Sequence, residues 1–130
     1  MVKVIALDPP SEHVIRRLAK GQWTRSTFLT AAADRLNDLS GNPSALVSEI
    51  DSADLVIMVA VPGGGAHAAS VIGKACSERR VTTTVLVIGG ASAPEAAVSK
   101  TLSQVRPWSL MTAIADSEEY LDFMLLALRA

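Results

Sequence analysis

The chain has 130 residues, 49% of them apolar and 19% charged, and a formal net charge of −1. That is one domain's worth of chain, taken as a single unit over residues 1–130 with room for a substantial core. The twelve Lys and Arg are scattered, which excludes the basic footprint that nucleic acid or an anionic membrane requires.

Only five aromatics occur, Trp23, Phe28, Trp108, Tyr120 and Phe123, so the core is expected to be aliphatic. The single cysteine, Cys76, leaves no internal disulfide and fits a reducing compartment. The opening MVKVIALD lacks a leader pattern, and no apolar run approaches the ~18 residues that span a bilayer. A cytoplasmic protein with no membrane contact is expected.

In chain order, residues 2–7 form a nearly continuous apolar run, as a strand buried on both faces does. Pro9 and Pro10 end it. Ser11 is placed to cap a helix whose stripe is Val14, Ile15 and Leu18, with Gly21 at the left-handed C-terminal position. A strand is predicted around residues 26–30. The stretch AAADRLNDLSG reads as a helical turn or two ending at Gly41, and Asn42 with Pro43 reads as the cap and first residue of a helix carrying Ala45, Leu46 and Ile50.

Residues 54–61 give the clearest strand, without alternation, followed by an alanine-rich helix over residues 66–79. Residues 81–88 form another β-branched run ending in Gly89 and Gly90. Ser92, Pro94 and Glu95 then resemble a capping box before a helix that Pro107 stops. Residues 108–114 read as a last strand, and Asp116 and Glu119 repeat the capping pattern ahead of a C-terminal helix. Alternating strands and helices imply right-handed crossovers and a mostly parallel sheet of about five strands covered on both faces. The fold class is α/β, a three-layer Rossmann-like sandwich.

Ligands in such sheets sit beyond the carboxyl ends of the strands, where strand order reverses. The loops at that end fall at residues 8–11, 62–67, 89–92 and 115–117. Gly63, Gly64 and Gly65 permit close backbone approach, and the amides at the start of the next helix, through Ala66 and His67, offer donors to an anion. The alternative is that a buried strand needs this glycine simply to turn sharply into its helix. No Walker lysine and no GxGxxG is present. The candidate ligand-binding residues are Gly63, Gly64, Gly65, Ala66, His67, Gly89, Gly90 and Ser92. His67 is also the candidate acid or base, against an ordinary exposed histidine. Ser70 and Ser92 have no neighbouring base in the sequence, Cys76 reads as a small buried residue, and His13 and His67 have no metal-ligand spacing.

The segment ADLVIMVAVPGGGAHAASVIGKACSERRVTTTVLVI resembles the nucleotide-binding half of the FtsZ and tubulin family, where a buried strand enters the loop GGGTGTG, then an alanine-rich helix and another strand. VKVIALDPPSEHVIRRLAKG and TFLTAAADRLNDL are similar to that family's opening elements, and the likeness covers about residues 2–90. It implies a guanine nucleotide or another phosphate-bearing ligand over Gly63 to His67. The departures fall on the chemistry. Ala66, His67, Ala68 and Ala69 stand where the family has threonines and glycines, and Asp8, Pro9, Pro10, Ser11 and Glu12 replace its glycine-rich first loop. Proline removes donors and the carboxylates repel phosphate. The likeness also stops short of the second domain that completes GTP hydrolysis, so a working GTPase is not expected. ADLVIMVAVPGGGAHAASVI resembles, in addition, the fourth strand and loop of Rossmann dehydrogenases such as prephenate dehydrogenase, whose GxGxxG is absent here.

The C-terminal stretch EEYLDFMLLALRA is apolar nearly all round, with Leu121, Met124, Leu125 and Leu128 on one stripe and Phe123 and Leu126 off it. It implies a homo-oligomer through Leu121, Phe123, Met124, Leu125 and Leu128, or a helix packed in its own domain's groove. The expected function is a small ligand-binding or regulatory domain that receives an anionic small molecule at residues 63–67 and acts through self-association. The alternatives are a dehydrogenase-like or transferase enzyme using His67, with Ser92 nearby, and a structural assembly subunit with an unused cleft.

Overall fold

In the computed structural model the described residues are 1–21, 23–32, 35–89 and 93–128. The strands are β1 (Val2–Ala6), β2 (Ser26–Ala32), β3 (Arg35–Asp38), β4 (Pro43–Ser44), β5 (Leu55–Ala60), β6 (Thr82–Ile88) and β7 (Met111–Ala115). The helices are α1 (Pro9–Leu18), α2 (Leu46–Asp51), α3 (Ala68–Glu78), α4 (Glu95–Val105) and α5 (Glu119–Ala127). They build one seven-stranded sheet in the order β4-β3-β2-β1-β5-β6-β7. Strands β2, β1, β5, β6 and β7 run parallel, and β3 and β4 add an antiparallel edge. The Rossmann-like α/β sandwich expected from the sequence is the observed fold, with two edge strands more than the pattern announced.

Period-two geometry divides each buried strand between two cores. Val4 and Ala6 of β1, Ile57 and Val59 of β5 and Leu86 of β6 meet Ile15 and Leu18 of α1 and Leu121 and Leu125 of α5. Ile5, Val56, Met58, Val85 and Val87 point the other way, onto Ile50 of α2, the alanines and Ile72 of α3, and Leu102 and Val105 of α4. Each Ile, Leu or Val removed from water here contributes about 1.5–3 kcal/mol. Alanine on α3 lets that helix lie close to the sheet, and the largest fully buried side chains are all aliphatic or Met58.

The chain differs from the sequence reading at its turns. Pro9 and Pro10 do not precede the first helix but open it, at positions whose N–H groups have no helical acceptor anyway. Asp8 is the cap, with Ser11 reciprocating. Gly21 does not take a left-handed conformation; Trp23 closes the helix instead, its indole N–H donating to the Leu18 carbonyl at 2.7 Å. The segment expected to be helical around residue 36 is the β2–β3 hairpin, where Leu36 packs at 1% exposure. Pro43 lies on the edge strand β4, a place proline tolerates, and α2 begins only at Leu46. The Ser92 capping box and Gly90 lie outside the described residues. α5 has no side-chain cap from Asp116.

Candidate functional site

Strands β1 and β5 are neighbours, and their connections leave on opposite faces, α1 with α5 on one and α3 on the other. Their carboxyl ends therefore mark the point where strand order reverses. The glycine corner stands there. Gly63 and Gly65 have φ of +79° and +89°, a conformation that L side chains rarely adopt. Gly64 is needed for a different reason: a Cβ on it would lie 2.6 Å from Oδ2 of Asp8. All three glycines thus have a cause within the fold, two in the backbone conformation and one in the Asp8 side chain.

Asp8, 2% exposed, is the centre of this corner. Oδ1 accepts from the Ser11 amide at 2.8 Å and Oδ2 from the Val61 amide at 2.9 Å, so one carboxylate joins the end of β1, the start of α1 and the end of β5. The loop amides are largely engaged too. Gly63 donates to Oγ1 of Thr101 at 3.0 Å, Gly64 to the Val61 carbonyl at 3.0 Å, and Ala66 to Oε1 of Gln104 at 3.3 Å. Two side chains of α4 thereby take amides that a phosphate cradle would leave free. The amides of Gly65, His67 and Ala68 retain no acceptor in the fold. His67 occupies the cap position of α3 without a capping bond, exposed, its Nδ1 3.5 Å from Nε2 of Gln104.

The other predicted residues fall as follows. Gly89 has φ +88° and donates to the Ala115 carbonyl at 2.7 Å, which ties the exits of β6 and β7. Gly90 and Ser92 are outside the described residues. Ser70 donates to the His67 carbonyl and faces no base. Cys76 is buried, and burial pushes its thiol up to about 11, with Arg79 pulling weakly the other way. It is no nucleophile at neutral pH. Among the described residues no cluster of His, Cys, Asp and Glu is arranged to hold a metal.

The second region is the apolar C-terminal end. Leu121 and Leu125, read as partner-facing, are fully buried in the chain's own core, and Met124 packs partly against it. Phe123 (66% exposed), Leu126 and Leu128 remain in solvent, beside Tyr120. On one flank α5 meets α1 through the Arg17–Glu118 ion pair. On the other it leaves a groove of about 450 Å³ over the sheet, lined by Leu55, Met111, Tyr120, Phe123, Met124 and Leu128. Met111 carries this apolar surface onto β7, the outer strand, whereas Ile114 pairs with Val87 and so faces the α3 and α4 side of the sheet. The sequence pattern identified both the helix and the strand at residues 108–114; that this strand forms the sheet edge was not legible, because its short run looks like any buried parallel strand. Among the described residues, no helix is long and apolar enough to cross a membrane.

No protein-family model matches the chain, and no curated protein matches it. Among solved structures, the conserved hypothetical protein BatB from Bacteroides thetaiotaomicron is similar over 98% of this chain and 95% of that one, with a TM-score of 0.47 and 11% identity.

Proposed function

We propose that the chain is a non-enzymatic assembly module that pairs with a second copy of itself through α5 and the outer edge of β7. The observation that carries this is the inequality of the two sheet edges. At one edge, β4 is two residues long and contains Pro43, the kind of blunting that prevents strand addition. At the other, β7 reads MTAIA, without a charge or a proline. Five of the nine large apolar side chains exposed among the described residues, Met111, Tyr120, Phe123, Leu126 and Leu128, belong to α5, its end and the face of β7 beside it. A net charge of −1 adds little repulsion between copies.

Light scattering tests this with Phe123→Glu. The native chain is expected to dimerise and the variant to be a monomer that melts where the native chain does once diluted to its monomer, since Phe123 is exposed and supports no core. A native chain that is monomeric at the highest concentration it tolerates overturns the reading.

A second reading keeps an anionic small molecule at α3, a guanine nucleotide or another phosphate-bearing ligand of the kind the FtsZ resemblance implies. The unpaired amides of Gly65, His67 and Ala68 favour it; the buried Asp8 carboxylate beneath Gly64 opposes it. Melting with GTP, ATP, NAD and inorganic phosphate decides. A ligand at ~100 times its dissociation constant stabilises the fold by about 2.7 kcal/mol, and no shift with any of the four removes this reading.

A further inference from the structure

At the opposite end of the sheet, below the amino ends of β6 and β7, lies a cavity of about 430 Å³ whose wall includes Gly73, Ser77, Arg80, Thr82, Trp108 and Leu110. Two unusual choices of residue build it. Gly73 sits in the middle of α3, where glycine costs about 1 kcal/mol relative to alanine. A Cβ there would lie 2.4 Å from Cβ of Trp108, so the glycine exists to seat that tryptophan on the helix. The chain after Val105 makes a 3₁₀ turn, Arg106–Trp108, and Oγ1 of Thr83 donates to the Trp108 carbonyl at 2.9 Å, fixing the backbone from the sheet side.

Arg80 is the second choice. Its φ is +57°, in the left-handed region that closes α3, with the Val81 amide donating to the Cys76 carbonyl at 2.9 Å. Glycine is the usual residue there, and any other costs on the order of 1 kcal/mol. Its neighbour Arg79 is paired, with Asp51 at 3.0 Å and Glu78 at 3.7 Å. The Arg80 guanidinium meets no carboxylate or carbonyl, and the Trp108 indole N–H has no acceptor either, whereas that of Trp23 is bonded. Two donors of the types that bind oxyanions, unpaired within the fold and open to solvent, thus belong to residues lining one cavity that also offers an indole and the apolar Leu110, Pro107 and Val81.

We propose that this cavity binds a small aromatic carboxylate, its carboxylate held by Arg80 and the Trp108 indole N–H and its ring against the apolar wall. The volume is within the range of small-molecule sites, and the position is not the carboxyl-end crevice that such sheets ordinarily use. The site is independent of the self-association proposed above.

The test is a titration of the ¹⁵N-labelled chain with 2-naphthoate, followed by the two indole N–H resonances. The Trp108 signal is expected to move saturably while that of Trp23 stays. Arg80→Gly removes the guanidinium and suits the backbone conformation, so it is expected to abolish the shift with stability equal to or above that of the native chain. The uncharged 2-naphthamide is expected to give no saturable shift. In Phe123→Glu the naphthoate titration is expected to be unchanged, which separates this site from the assembly surface. A native Trp108 resonance indifferent to naphthoate overturns the proposal. So does an equal response in Arg80→Gly or to the amide.

Discussion

Asp8 is a helix cap, a strand tie and the reason for a glycine at once. Its two oxygens hold the Ser11 and Val61 amides, and its side chain occupies the volume in which residue 64 would carry a Cβ. Gly64→Ala is therefore expected to destabilise the fold by about 1–3 kcal/mol, read from urea unfolding, because the carboxylate cannot retreat without releasing its amides. An alanine tolerated at no cost would mean that the corner yields. The three glycines were legible in the sequence as a tight turn or an anion cradle, and nothing in the sequence chose between them. The deciding partners, Asp8, Thr101 and Gln104, are 53, 38 and 38 residues away along the chain from the amides they bind. Contacts at that separation leave no local pattern. The same holds for Gly73 and Trp108, although a glycine in the middle of an alanine-rich helix was a signal open to reading.

At the scale of elements, the buried parallel strands were legible because burial on both faces removes alternation. The hairpin was not, since its alanines and polar residues carry no two-residue period, and β4 is too short to have one. A charged network holds this added edge. Lys3 of β1, 5% exposed, donates to Oε2 of Glu49 on α2 at 2.9 Å, and Ser44 of β4 donates to Oε1 at 2.9 Å. Desolvation is the largest influence on Glu49 and opposes its charge. The hydrogen bonds from Lys3 and Ser44 and the Lys3 charge together outweigh it, so the carboxyl titrates below its ordinary 4.5. A depressed folded value stabilises the native state above the unfolded value, and that contribution disappears as pH falls through the folded one. Glu49→Gln is expected to cost on the order of 2 kcal/mol near neutral pH, by leaving the Lys3 ammonium without a counter-charge. The gap between variant and native chain is expected to close as acid takes the native carboxyl through its titration. Denaturant midpoints across pH check this, and a gap independent of pH contradicts it.

For the whole molecule, the two sheet edges and the two sheet faces set what surface is left. One edge ends in a proline-bearing strand of two residues. The other is uncharged, and the helix beside it leaves a groove over the sheet that Met111, Phe123 and Leu128 line. The amphipathic excess of the C-terminal helix was legible, but its division was not: Leu121 and Leu125 serve the fold, and Phe123 and Leu126 are left over. Only three-dimensional burial separates the two sets. The most direct measurement is the solution mass of the native chain by light scattering over a range of concentrations. The account predicts a species of twice the 13.6 kDa chain mass that dissociates on dilution. A particle that keeps the single-chain mass throughout contradicts it.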